Sequence, residues 1–290
     1  MTFVEDEIAS QADCWETAIE HATSPLLPNA GERVAVVGCG TSWFIGQCYA
    51  ALREASGHGE TDAFAASEAP VGRPYDRLVA ITRSGTTSEV LDVLDRARIP
   101  SLAITAGAST PVVEVAAHTM TLPFADERSV VQTRFATTTL ALLRAHLGDD
   151  LSSAIADARV AISGELPEDA LSRRQFTFLG RGWTIGLANE AALKMREASL
   201  SWSESYPAME YRHGPISIAD TRSLIWMLGE TPRGLHDEVV ATGATWVDSS
   251  LDPMAELIRA QRVAVARGLA HGLDPDEPRN LSRSVILGPA

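Results

Sequence analysis

The chain has 290 residues, is 45% apolar and carries a formal net charge of −14. That length can bury one large core or two of about 130 residues each. So acidic a surface excludes a nucleic-acid backbone as partner, and any phosphate site must work locally, through backbone amides and hydroxyls.

Three cysteines (Cys14, Cys39, Cys48) lack paired spacing and seven histidines are scattered singly, so neither a disulfide framework nor a metal signature appears. No metal and no cofactor are expected. The start is acidic (Glu5, Asp6, Glu7) and no apolar run is long enough to cross a bilayer, which predicts a cytoplasmic chain without a membrane partner.

In chain order, residues 4–21 read as a helix ended by Ser24-Pro25 and Pro28-Asn29. Strand and helix patterns then alternate: strands at 33–37, 62–66, 77–82, 101–105 and 119–124, helices at 43–53, 88–98, 111–117 and 130–147. Runs such as Val34-Ala35-Val36-Val37 lack polar alternation, as expected of parallel strands covered on both faces. Residues 149–172 read as a linker around a middle helix. The pattern then restarts, because Phe176 to Gly182 echoes Val34 to Gly40, each strand ending in Gly-x-Gly before a helix. Strands at 223–228 and 244–247 and a helix at 253–269 follow. The predicted fold is α/β: two doubly wound parallel-sheet subdomains, 31–148 and 173–272, the second abbreviated. A helical segment (1–30) precedes them and a tail (273–290) follows, lying over the active site.

The stretch 176–215 carries the most chemistry. On a helix turning about 100° per residue, Glu190, Lys194 and Glu197 share a narrow arc, and Ala188, Ala191, Met195 and Ala198 lie opposite. Lys194 is the single lysine among 24 basic side chains. A solvated ion pair would explain Glu190 and Lys194 equally well. Unlike arginine, however, lysine is a compact charge that burial retunes.

Two strands of the first half end in glycine- and hydroxyl-rich turns, Gly38-Cys39-Gly40-Thr41-Ser42 and Thr82-Arg83-Ser84-Gly85-Thr86-Thr87, each leading into a helix. Such turns can cradle a phosphate with amides and hydroxyls. They match neither a Walker A loop nor a dinucleotide fingerprint. Either turn alone is also explained by Ser42 or Ser84 capping a helix.

Together these residues resemble a pair of sugar isomerase (SIS) domains, most closely the isomerase part of glucosamine-6-phosphate synthase. The likeness runs through Glu7-Ile8 and Gln11, Cys39-Gly40-Thr41-Ser42, Ser84-Gly85-x-Thr87, Leu179 to Gly182, Ala192-Leu193-Lys194-x-x-Glu197, His213-Gly214-Pro215 and Pro278-Arg279-Asn280-Leu281-x-x-Ser284. The resemblance implies that Ser42, Thr82, Ser84 and Thr87 hold a sugar 6-phosphate, with Thr41 and Val130 along the sugar. Arg83, Gln132, Ser282 and Arg283 are counted with the substrate-binding set. Glu197 would be the base that moves a proton between C1 and C2, with Lys194 beside it. His213 would complete the site of a partner subunit in a homodimer. The carboxylate would need partial desolvation and a nearby cation to act near neutral pH.

The family's tail lysine aligns with Arg283, which cannot form an imine, and Gln132-Thr133-Arg134 replaces a serine-threonine-lysine run. The expected activity is isomerisation with deamination of an amino-sugar 6-phosphate, glucosamine 6-phosphate or its N-acetyl form. With no glutaminase half, glutamine is not the expected nitrogen donor. The alternatives are a dehydratase eliminating the C3 hydroxyl from the same enediol, a fructosamine-6-phosphate deglycase, and a non-catalytic sugar-phosphate sensor.

Overall fold

The computed structural model describes residues 2–288; residue 1 and residues 289–290, the extremes of the N-terminal segment and the tail, lie outside them. In chain order the helices are α1 Phe3–Ala9, α2 Gln11–Ile19, α3 Thr41–Ala55, α4 Ser88–Arg96, α5 Pro111–Val115, α6 Arg134–His146, α7 Ser152–Ser163, α8 Thr184–Ser199, α9 Leu235–Val240 and α10 Pro253–Ala270. The strands are β1 Val34–Gly38, β2 Thr61–Ala65, β3 Arg77–Ile81, β4 Ser101–Thr105, β5 His118–Thr121, β6 Gln175–Gly180, β7 Ser203–Pro207, β8 Ser223–Leu228 and β9 Thr245–Val247. The chain forms two compact units. One comprises Asp13–Arg128, Gln132–Leu151 and the tail from Leu281; the other comprises the chain up to Ala12, Ser129–Val131 and Ser152–Asn280.

In the first unit five parallel strands lie in the order β2-β1-β3-β4-β5. The chain moves from β1 to one edge and then returns to β3 on the other side. The carboxyl ends of β1 and β3 therefore form a topological switch point, where open sheets of this kind take ligands. Ala35, Val37, Leu78, Ala80 and Ala103 meet Val90, Val93 and Leu94 of α4 and Val112 of α5. The alternate residue Val36 meets α3 at Gly46, where an added β-carbon would lie 3.0 Å from its Cγ1. The sheet is thus covered on both faces, which is why its strands show no polar alternation.

The second unit has four parallel strands in the order β7-β6-β8-β9. Leu179, Ile225 and Met227 pack with Leu235 and Val239 of α9 on one face. Phe178 and Trp226 stack with centroids 5.9 Å apart. The two units share a local device. A β-carbon on Gly38 would lie 2.7 Å from the Ser42 carbonyl carbon, and one on Gly180 would lie 2.3 Å from the Thr184 carbonyl oxygen. Each first strand ends where only glycine lets the following helix start against it.

Three elements differ from the sequence expectation. The helix expected over 4–21 breaks at Ser10, whose hydroxyl donates to the Glu7 carbonyl at 3.0 Å and so competes with the helical ladder. β7 was not expected, because Ser203-Glu204-Ser205-Tyr206-Pro207 has little apolar content. Its place is fixed instead by side chains: Ser203 Oγ donates to Ala192 O at 2.7 Å and Arg196 Nη1 donates to Ser203 O at 2.9 Å. α9 is one short helix whose Leu235 and Val239 show their apolar spacing only once the sheet is present. Among the described residues no helix is long and apolar enough to cross a membrane.

Candidate functional site

Helix α8 presents the three charged residues as the spacing predicted, but both of its sides are covered. Ala188, Ala191, Met195 and Ala198 are buried, and so are Glu190 at 0% and Lys194 at 1% relative exposure. Lys194 Nζ lies 3.5 Å from Glu190 Oε1 and donates to Glu197 Oε2. The Glu197 side chain keeps 18% exposure. It lines a recess of about 40 Å³ with Leu273, Asp274, Glu277, Pro278 and Arg279. A solvated helix face does not describe this arrangement. Burying two carboxylates on one ammonium costs solvation that only close contact offsets, and it leaves Glu197 as the member open to a ligand.

The backbone at this end of α8 is tightly specified. Leu200 closes the helix in the left-handed conformation at φ 52°, unusual for a side chain of that shape. Ser199 Oγ donates to Met195 O at 2.7 Å, and Arg267 Nε of α10 donates to Ser201 Oγ at 2.7 Å. The serines that look like breakers in the sequence are what pins the helix end, two residues beyond Glu197.

At the switch point of the five-stranded sheet, the turn after β3 curls around its own hydroxyls. Thr82 Oγ1 accepts from Gly85 N at 3.2 Å and Ser84 Oγ accepts from Thr86 N at 3.2 Å, with Ser84 Oγ 3.5 Å from Thr87 Oγ1. A hydroxyl that accepts a backbone N–H keeps its own proton to give, so this turn can donate to an anion. Gly85, at φ +64°, makes the bend possible; a β-carbon there would strike Thr110 Oγ1 at 2.1 Å. Thr41 and Ser42 lie inside the first turn of α3, both buried. Neither α3 nor α4 has a side-chain cap hydrogen bond, so the capping alternative for Ser42 and Ser84 does not hold. The Cys39 thiol is pushed up to about 11, by burial first and by the charge of Glu89 second.

Arg83 is buried and points to Glu127 at 3.4 Å, and its Nη2 donates to the Arg283 carbonyl at 3.2 Å. Glu127 in turn accepts from Thr133 N and Arg134 N, each at 2.6 Å, capping α6. The tail runs along the same turn. Ser284 Oγ lies 2.8 Å from Thr86 Oγ1, and Ser88 N donates to Val285 O at 3.1 Å. The Arg283 guanidinium reaches Asp126 at 2.5 Å and Ser282 Oγ donates to Ser284 O at 2.8 Å. Gln132 is half-buried in this unit.

Val130 falls in the other unit, where its N–H donates to Asp276 O at 2.9 Å. His213 ends the 3-10 turn Glu210–His213 and is exposed; among the described residues its imidazole has no hydrogen bond or ion pair. It is not joined to Lys194 or Glu197 within the chain. Glu7, Glu127 and Asp276 were not foreseen as organisers of these segments. Their partners stand from 6 to 273 residues away in sequence, so no local spacing marks them.

No family model matches the chain. It is 27% identical over 319 residues to a glutamine–fructose-6-phosphate aminotransferase (isomerizing) of Bacteroides thetaiotaomicron, covering 88% of this chain and 51% of that one. It is 29% identical over 302 residues to the protein of that name from Sulfolobus acidocaldarius, covering 88% and 50%. The chain thus spans about half the length of the curated relatives it matches.

Among solved structures, a glucosamine-6-phosphate deaminase of Thermotoga maritima superposes with a TM-score of 0.81 at 24% identity, covering 99% of this chain and 100% of that one. The C-terminal domain of the Francisella tularensis glucosamine-fructose-6-phosphate aminotransferase gives 0.81 at 20%, covering 96% and 98%. The Escherichia coli tagatose-6-phosphate ketose/aldose isomerase gives 0.77 at 22%, covering 99% and 96%. At these identities the structural likeness speaks for the fold, and the sequence likeness for descent. The chain is homologous to the isomerase (SIS) domain of glutamine–fructose-6-phosphate aminotransferase and has the fold that phosphosugar isomerases share.

Proposed function

We propose that this chain is an enzyme that enolises an amino-sugar 6-phosphate between C1 and C2, with Glu197 as the base. The observation that carries the reading is the buried Lys194 ammonium held against a Glu197 carboxylate that opens to a recess. A carboxylate so placed is fixed by the Lys194 ammonium and still reachable from the recess, the position a base needs to meet a ligand's proton.

Ser42, Thr82, Ser84 and Thr87 take the phosphate by donating hydroxyl protons, an arrangement that suits a chain of net charge −14. Glu197 removes the C2 proton of the open-chain glucosamine 6-phosphate while the C1 carbonyl oxygen is protonated, giving an enolamine. The proton returns to C1, and water hydrolyses the resulting C2 imine to ketose phosphate and ammonia. Lys194 holds Glu197 and balances its charge. Thr41 and Val130 flank the sugar. His213, exposed and with no hydrogen bond or ion pair among the described residues, serves a partner subunit in a homodimer.

One observation favours a second outcome. The residue aligned with the family's imine-forming lysine is Arg283, and its guanidinium is occupied by Asp126 at 2.5 Å. Elimination of the C3 hydroxyl from the enediol needs no imine, so a dehydratase shares the first step.

The test is NMR of a panel of sugar 6-phosphates in deuterated water. Solvent deuterium appears at C2 with the wild type and not with Glu197→Gln. Ammonia, ketose phosphate or an ultraviolet-absorbing unsaturated product then separates the outcomes. Binding of sugar phosphates by both proteins with exchange by neither would leave a sensor in place of an enzyme.

A further inference from the structure

The segment Ser129–Val131 is flanked on both sides by residues of the five-stranded unit, yet it clusters with the unit that carries Lys194 and Glu197. Three residues cannot build a core of their own, so something must hold them there. Two attachments do. Glu7 of α1 is 3% exposed and accepts from Ser129 N at 3.2 Å and from the Ser129 hydroxyl. Asp276 accepts from Phe3 N and Val4 N at 2.8 Å each with its carboxylate, and from Val130 N with its carbonyl at 2.9 Å. Just beyond α1, at the first residue of α2, Gln11 Nε2 donates to Gln261 Oε1 of α10 at 2.8 Å. Asp274 and Glu277, on either side of Asp276 in the chain, line the recess at Glu197.

We propose that Glu7 is a positioning residue: its buried carboxylate clasps Ser129 and thereby sets Val130 for the sugar in the unit that holds the base. This rests on the enolisation reading, in which Val130 flanks the sugar. A carboxylate can take both Ser129 donors at once. A glutamine of equal size keeps one acceptor for Ser129 N but removes the charged acceptor at the hydroxyl, which must then turn to the Val131 carbonyl it already meets at 2.8 Å. The loss is therefore specific to this clasp and leaves the helix intact.

The experiment uses the full chain as wild type, Glu7→Gln, Ser129→Ala and the double variant. It measures kcat/KM for the sugar phosphate that exchanges at C2, inhibition by inorganic phosphate, and amide exchange over 129–131. The expected result is a fall in kcat/KM of at least about tenfold in Glu7→Gln, the size of one lost charge-assisted hydrogen bond. Inorganic phosphate inhibits as before, amide exchange over 129–131 accelerates, and the double variant is no worse than Glu7→Gln alone. General loosening of the fold would weaken phosphate inhibition in step with kcat/KM, and that outcome overturns the proposal. So does wild-type turnover in Glu7→Gln, or losses that multiply in the double variant. A wild type that exchanges no sugar phosphate removes the enzymatic reading instead. The clasp is then decided by amide exchange alone, and unchanged exchange in Glu7→Gln overturns it.

Discussion

Gly268 of α10 passes so close to α8 that a β-carbon on it would lie 2.2 Å from the carbonyl oxygen of Ala198. The obstacle is backbone next to Glu197, so the helices must separate if a side chain is added. Gly268→Ala is expected to lower stability by about 1–3 kcal/mol, the usual cost of overpacking. Chemical denaturation measures it. Because the shift falls on the Glu197 turn, the folded fraction should also lose turnover, which an activity assay corrected for folded protein reads.

Lys194 is enclosed with two carboxylates, so removing it strands their charge. Lys194→Met is expected to cost about 3–5 kcal/mol and to abolish C2 exchange. Lys194→Arg keeps the charge but brings a planar fork into a space that fits a compact ammonium, and it should not restore turnover. Recovery of wild-type rates in the arginine variant would show that charge alone suffices.

Glu127 joins the Arg83 guanidinium to the start of α6. Glu127→Gln weakens a buried charge-assisted contact by about 1.5–3 kcal/mol. Since Arg83 also holds the Arg283 carbonyl, amide exchange along 284–288 should quicken, visible by mass spectrometry, while 175–180 stays protected.

The Cys39 thiol, raised to about 11 by burial, stays protonated at neutral pH. At pH 8 roughly one molecule in a thousand carries the reactive thiolate. Alkylation by iodoacetamide should be slow there and climb steeply toward pH 11, with a sugar phosphate protecting if it binds the adjoining turn. Fast labelling of Cys39 at pH 7 would contradict the burial.

Burial pushes the Glu32 carboxyl up, but hydrogen bonds from Arg77 and from Asn29 outweigh it, and the net position is below the ordinary 4.5. A carboxyl depressed in the folded state contributes stability above its unfolded value and loses it as pH falls below that point. Thermal unfolding followed downward from pH 6 should show the wild type losing stability below about pH 4.5 more steeply than Glu32→Gln. Equal slopes would mean the Arg77 pair adds nothing.

Much of this fold could be read along the chain. β4 and β8 lie at the expected residues because unbroken apolar runs between turn signals admit few other structures. β7 could not be read that way, since the hydrogen bonds of its own Ser203 with Ala192 and Arg196 of α8 place it. The spacing of Glu190, Lys194 and Glu197 on one helical arc was likewise a local property, visible from the 3.6-residue period. Whether that arc met water or protein was not local: α10, through Gly268 and Arg267, closes over the end of α8 and settles it. The sequence by itself determined the apolar strands, the hydroxyl-rich turns and the charged helix face, because each depends on residues a few positions apart. Only the tertiary structure decided that Arg83 belongs to Glu127, that Glu7 belongs to Ser129, and that the lone lysine is buried, because those outcomes depend on which distant segments exclude water together.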